Sequence, residues 1–295
     1  MRDPRTVLRR ALLLAPTGLT LFVFMVIPMG LMGWMSVLEP DTYGGVRWHA
    51  LSLDAYVQFW YERDLDDSLI LNTAYMEIFL RSFLLAGFAT LATLVLGFPT
   101  ALYIALQDER TRQRLILLIS IPFWTNLLVR TYAWMLLLRN GGLIDSGLGA
   151  LGLGSGALDV LYTPTAVAIG FVYSFLPFMV LPIYTSLEKM DWRLVEAAFD
   201  LGANRWTALR RVVLPMALPG IAAGCLLVFI PALGSYYIPE LLGGGKSLMI
   251  GNLIQNQFGT ARNWPFGAAL SFTLLALVLL AMIVYTRRFR QAPGE

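Results

Sequence analysis

The chain has 295 residues, 57% of them hydrophobic and only 14% charged, against roughly 25% charged in a soluble globular domain. That balance excludes a water-soluble domain and places the chain in a bilayer. The net charge of +3 and pI of about 9.1 suit nucleic acid at first sight, but the charge distribution below accounts for them without it. One cysteine, Cys225, and one histidine, His49, exclude an intramolecular disulfide and a dedicated zinc or haem site.

Six mostly apolar runs are long enough to cross about 30 Å of hydrocarbon as helices. They cover about 11–34, 80–106, 115–138, 164–187, 217–238 and 266–285. The first follows Arg2, Arg5, Arg9 and Arg10. It exceeds the apolar core of a signal peptide and lacks a small-residue cleavage site, so it is expected to stay as a helix. Several runs contain Pro or Gly, among them Pro28, Pro99, Pro122, Pro177, Pro182 and Pro231, which membrane helices tolerate.

Loop charges set the orientation. The N-terminal tail (1–10), 107–114, 188–215 and the C-terminal tail (286–295) hold fifteen Lys and Arg, and 35–79, 139–163 and 239–265 hold five. The first set is therefore expected in the cytoplasm, with both termini inside. The fold class expected is an all-α membrane protein with 11–285 as one transmembrane domain.

The outer segment 35–79 carries Glu39, Asp41, Asp54, Glu62, Asp64, Asp66, Asp67 and Glu77 against Arg47 and Arg63. It reads as an exposed loop, or as an acidic rim that draws in a cation. Gly152, Gly154 and Gly156 follow no strand, so they are no dinucleotide fingerprint. Gly243-Gly-Gly-Lys246-Ser247 is no P-loop, because the pattern needs Gly where Glu240 stands. With no nucleophile elbow and no His-Glu-x-x-His, no catalytic residue, metal site or cofactor site is readable, and the chain is not expected to be an enzyme.

The stretch 188–215 is polar and of good helical propensity. Asp191 can cap a helix that places Leu194, Val195, Ala198 and Leu201 on one face, and Gly202 suits the left-handed residue that ends it. Asn204 can cap a second helix with Trp206, Leu209, Val212 and Val213 on one face, closed by Pro215. Two amphipathic helices meeting at a glycine either dock on a partner or lie on lipid headgroups.

Glu196-Ala-Ala198, then Gly202 and Leu214-Pro215, resemble the EAA loop of ABC importer permeases. Ile121-Pro-Phe-Trp-Thr-Asn126, Leu176-Pro-Phe-Met-Val-Leu-Pro182, Pro231-Ala-Leu-Gly234, Leu242-Gly-Gly244, Ile250-Gly-Asn-Leu-Ile254 and Asn263-Trp-Pro-Phe-Gly-Ala-Ala269 narrow the resemblance to the B-type permeases of spermidine/putrescine importers. The resemblance implies a type I permease fold of six helices in the bacterial inner membrane and transport of polyamines by alternating access. Its implied partners are two copies of an ATPase that holds ATP and Mg, a second and different permease, and a periplasmic binding protein. Glu196, Ala197, Ala198, Asp200, Gly202 and Ala203 would then contact the ATPase, with small residues at the closest approach. Another small solute (an opine, an amino acid derivative or an organophosphonate) fits the same motifs. An ion-coupled secondary transporter would want internal repeats and mid-membrane carboxylates, and neither is evident.

A polyamine needs carboxylates for its ammonium groups and aromatic faces for cation–π contact. Glu240, beside Tyr236 and Tyr237 at the outer end of the fifth span, is the leading candidate, although a solvated carboxylate in an aromatic belt would look the same. Trp124, Asn126, Trp134 and Tyr173 are further pathway candidates on neighbouring helices, where plain packing is the alternative. Arg130 lies inside the third span, so it is expected to neutralise a carboxylate, Glu240 or Glu77, or to contact the partner permease. Gly220 and Gly224, four apart, can seat a close helix crossing.

Overall fold

The computed structural model describes residues 15–63, 69–150 and 160–289. Outside them lie the basic tail 1–10, residues 11–14 of the first expected span, Asp64, Asp66, Asp67, Gly152, Gly154, Gly156 and residues 290–295. In chain order the elements are α1 (Ala15–Met35), strands β1 (Leu38–Pro40) and β2 (Val46–Leu51), α2 (Asp54–Trp60), and strands β3 (Tyr61–Arg63) and β4 (Leu69–Leu71). Then follow α3 (Thr73–Ala105), α4 (Glu109–Trp124), α5 (Leu127–Leu138), α6 (Leu143–Ala150), α7 (Pro164–Glu188), α8 (Arg193–Asp200), α9 (Arg205–Gly234), α10 (Tyr237–Gly243), α11 (Ile250–Phe258) and α12 (Trp264–Phe289). Among the described residues α1, α3, α7, α9 and α12 are each long and apolar enough to cross a membrane, and α4 with α5 forms a broken span.

The described residues of Met1–Met76 with Leu253–Glu295 form one compact unit. Segment 35–79, read from sequence as an exposed loop, is partly structured there. β1 and β2 pair antiparallel, Glu39 opposite Arg47, around a turn in which Gly44 and Gly45 take φ of +93° and +97°. Arg47 pairs with Asp41 at 3.3 Å and Glu39 at 3.7 Å, so those two acids do not form a free rim. The turn is anchored by the Gly45 N–H, which donates to the Arg262 carbonyl at 2.8 Å. Tyr75 meets Phe266 of α12 at 5.1 Å between ring centroids, and Gly33 of α1 faces the Phe272 ring.

Glu77–Asn252 form the second unit, and its centre is α7. In lipid the hydrophobic effect does not drive helices together, so close approach depends on small residues. Gly220 of α9 lies against the Pro182 carbonyl and the Ser186 hydroxyl, Gly224 against Met179, and Gly97 of α3 against Met179 and Val180. The expected glycine crossing is thus the α7–α9 contact. α3 repeats the rule along its length: Ser82, Ala86, Ala89, Thr93, Gly97 and Ala101 are buried, whereas Leu80, Leu84, Phe88, Leu91 and Val95 are exposed. Gly170 of α7 seats Ile238 and Leu242 of α10.

Prolines decide where these helices bend. The third span, expected over 115–138 with a tolerated kink at Pro122, is instead broken, with Glu109–Trp124 and Leu127–Gly147 bent by 90° to each other. Pro122 sits in the last turn of α4, Thr125 and Asn126 are extended, and the Asn126 side chain accepts from the Leu128 N–H at 2.8 Å to start α5. The fifth span, expected over 217–238, ends at Gly234. Ser235 is extended and α10 starts afresh, so Glu240 does not cap the fifth helix but belongs to a separate short one. Pro215, expected to close a helix, sits inside α9. A π turn over Leu209–Val213, closed by the Leu214 N–H on the Leu209 carbonyl, precedes it. A π turn over Phe22–Val26 precedes Pro28 in the same way. The wider turn readjusts the backbone bonding just ahead of a residue that has no N–H and crowds the carbonyl four residues back.

Gly220→Leu is expected to destabilise the chain by about 1–3 kcal/mol through overpacking against backbone, read as a lower melting temperature in detergent. Gly87→Ala should not destabilise it, because a Cβ there meets nothing within 4 Å.

Candidate functional site

The turn between α7 and α9 is built from local signals. The Asp191 carboxylate accepts from the Arg193 N–H at 3.1 Å and starts α8. At the other end the Gly202 N–H donates to the Phe199 carbonyl and the Ala203 N–H to the Ala198 carbonyl, both at 2.9 Å. With Gly202 at φ +84° this is a Schellman closure, which only a residue free of a Cβ adopts without strain. Asn204 then accepts from the Thr207 N–H at 2.8 Å and starts α9. Each of these local signals was legible in advance, although α8 begins at Arg193 and not at Trp192.

No residue of α8 is buried. Leu194 and Phe199 are exposed, Leu201 is 88% exposed and Trp206 is 70% exposed. Glu196, Ala197, Asp200 and Gly202 are exposed beside them, and Ala198 and Ala203 are half-buried. An apolar face offered at this density, on a turn between two packed helices, is a surface that the described residues leave uncovered.

A second cluster lies on α10. The Tyr236 and Tyr237 rings are 4.6 Å apart. The Glu240 carboxylate accepts from the Asn252 side-chain amide at 2.7 Å, and the same amide donates to the Tyr236 carbonyl at 3.2 Å. Asn252 is buried and its carbonyl oxygen accepts from the Met249 N–H at 3.4 Å. It therefore holds the exposed Glu240 in one orientation by neutral hydrogen bonds. Sequence reasoning missed Asn252, though it stands in the Ile250-Gly-Asn motif.

Trp134 of α5 and Tyr173 of α7 meet edge to face at 5.3 Å, and α5 and α10 both pack on α7. Trp124 stands at the bend, 83% exposed. Asn126, one helical turn before Arg130, has its side-chain oxygen engaged as the α5 cap. The structure thus joins Trp134 to Tyr173 and Tyr236 to Tyr237 and Glu240, and gives Asn126 a structural bond.

Neither carboxylate expected for Arg130 pairs with it. Glu77 bonds Arg81 at 2.7 Å, one turn along the same helix, and Glu240 bonds Asn252. The Arg130 Nε and Nη1 atoms are buried and have no hydrogen-bond partner among the described residues. Arg112, read from sequence as a topology charge, lies instead in a polar knot. Its Nη1 is 3.4 Å from Glu109 and 3.5 Å from Glu188, and the Tyr184 hydroxyl donates to Glu188 at 2.6 Å. Just before it, the Asp108 carboxyl is held below the usual carboxylate range by hydrogen bonds from Thr111. A carboxyl with a depressed folded pKa contributes stability above its unfolded value, and the contribution is lost as pH falls through the folded one.

Residues 93–290 match the family described as "Binding-protein-dependent transport system inner membrane component". The chain is 46% identical over 221 residues to the spermidine/putrescine transport system permease protein PotB of Escherichia coli (strain K12), over 75% of this chain and 80% of that one. It is 44% identical over 218 residues to PotB of Haemophilus influenzae (strain ATCC 51907 / DSM 11121 / KW20 / Rd), over 74% and 76%. Its fold is similar to a chain in the crystal structure of a bacterial alginate ABC transporter in complex with an alginate pentasaccharide-bound periplasmic protein. There the TM-score is 0.76 at 18% identity, over 99% of this chain and 97% of that one.

Arg130→Met is expected to raise the melting temperature of the isolated chain in detergent, since it removes a cation with buried nitrogens that lack acceptors. A lower melting temperature would show that the guanidinium is satisfied within the chain.

Proposed function

The chain belongs to the inner membrane components of binding-protein-dependent transport systems, and from that membership we propose that it is a permease subunit of an ATP-driven importer of polyamines. The observation that carries the reading is α8, an amphipathic helix on a fixed turn with its apolar side chains uncovered. The identity to two spermidine/putrescine permeases supports the substrate class.

In this reading α8 faces the cytoplasm and seats on an ATPase subunit. Leu194, Phe199, Leu201 and Trp206 fill the partner's groove, Glu196 and Asp200 make its polar rim contacts, and the small Ala197, Ala198, Gly202 and Ala203 allow close approach. ATP and Mg are held by two copies of that subunit, and this chain supplies no group to the hydrolysis. A second permease completes the pathway and a periplasmic binding protein delivers the substrate. Closure of the ATPase dimer pushes α8, and with it the α7–α9 pair, so that the pathway opens alternately to either side.

The substrate is a flexible polycation. Glu240, oriented by Asn252, attracts an ammonium group, and the Tyr236 and Tyr237 faces take the adjoining charge and methylene stem. Trp134, Tyr173 and Trp124 offer further aromatic surface along α5, α7 and the bend. Arg130 is neutralised by a carboxylate of the second permease, which removes the repulsion that a bare cation would exert on a polyamine.

The test is ATP-dependent uptake of labelled spermidine by the complex reconstituted in liposomes. Uptake without ATP or without the binding protein would sink the reading. Glu196→Ala and Gly202→Val are expected to lower uptake about tenfold while ligand capture by the binding protein is unchanged, a coupling loss of the usual size. Glu240→Gln is expected to raise the KM for spermidine with ATP hydrolysis retained. An unchanged KM would remove Glu240 from the pathway.

A further inference from the structure

We propose that Arg112 is a positioning residue that makes the bent pair α4–α5 move with α8, by tying the first turn of α4 to the last turn of α7; this rests on the transport reading above. Glu188 is the last residue of α7, and α8 begins at Arg193. The Glu188 carboxylate accepts from the Tyr184 hydroxyl at 2.6 Å and faces Arg112 Nη1 at 3.5 Å. Arg112 Nη1 also faces Glu109 on its own helix at 3.4 Å, and Arg112 Nη2 donates to the Gln107 carbonyl at 3.4 Å. The guanidinium thus joins the start of α4 to the root of the α8 turn.

The far end of α4 meets α7 differently. There Phe123 packs edge to face on Phe178 at 5.1 Å, next to the bend that carries Trp124. Between helices α7 and α9 the contact is continuous and runs through glycine, whereas α4 is held on α7 by an ionic knot at one end and a ring contact at the other. Part-exposed ion pairs contribute little to stability because water screens them. The Arg112 knot is therefore suited to set geometry and to break and re-form, not to hold the fold. A push delivered at α8 reaches Glu188 directly, Arg112 transfers it to α4, and α4 rotates the bend from which α5 carries Arg130 and Trp134. Tyr184 keeps the Glu188 carboxylate aimed at α4 throughout.

The test uses the full complex, with ATP hydrolysis and spermidine uptake measured on the same liposomes. Arg112→Gln and Glu188→Gln are each expected to keep ATP hydrolysis stimulated by the binding protein and to lose about tenfold in spermidine moved per ATP. The paired exchange Arg112→Glu with Glu188→Arg is expected to recover most of it. Spin labels at Gln113 on α4 and Arg193 on α8 should keep one distance through the ATP cycle in the otherwise unchanged chain and a broadened or shifting one in Arg112→Gln. Wild-type coupling in both single variants, or an unchanged distance distribution, overturns the tie. If Arg112→Gln does not assemble, Glu188→Gln decides alone. An unaltered complex that hydrolyses ATP without moving spermidine would sink the substrate reading instead, and the spin-label distances would still judge the tie.

Discussion

The contact on which the rest of the second unit depends is the crossing of α7 and α9 through Gly220 and Gly224. A side chain at either position would meet backbone or a buried side chain of α7. In a solvent as apolar as leucine, this closeness is what gives two helices enough dispersion contact to stay together. Because residues 189–204 are simply the turn that joins these two helices, α8 inherits their rigidity. The Asp191 bond to the Arg193 N–H at its start and the Schellman closure at Gly202 at its end fix its two ends, so an exposed apolar helix can keep a defined direction while it touches the first turns of α9.

Around that pair the chain uses proline to put irregular backbone where chemistry is expected. Pro122 ends α4 and leads to the bend at Thr125 and Asn126. Pro215 and Pro28 follow π turns that let α9 and α1 run on. The break at Ser235 turns α10 back onto α7, where Gly170 receives Ile238 and Leu242. Non-helical backbone at membrane depth is tolerable only where protein covers it or water reaches it. Trp124 stands at one break and Tyr236, Tyr237 and Glu240 at the other.

The polar groups divide accordingly. Asn252 spends its donors on Glu240 and Tyr236, both beside the break, and so orients a carboxylate. Arg81 does neutralise Glu77, on the flank of α3. Arg130 is left with two buried nitrogens that find no hydrogen-bond partner among the described residues. Arg112 also has a buried Nε without a partner among the described residues, but its Nη atoms have two carboxylates and a backbone carbonyl within reach.

Much of this was legible in order of residues because the signals are local. Apolar length located the spans, Gly202 and Asn204 located the turn of the exposed helices, and the Gly220–Gly224 spacing located the crossing. Even the strand pair at Val46–Leu51 had a signal, the Tyr43-Gly-Gly45 turn, although membrane-wide helical reading passed over it. Composition and periodicity by themselves determined that the chain is an α-helical membrane protein with one amphipathic polar turn. Only the tertiary structure decided that the third span bends by 90°, that Glu240 belongs to a separate helix held by Asn252, and that Arg112 rather than Arg130 finds carboxylates. The physical reason is that helix length and capping depend on neighbours in sequence. Which charge meets which carboxylate depends on side chains brought together across helices, Arg112 and Glu188 among them, and no spacing along the chain encodes that.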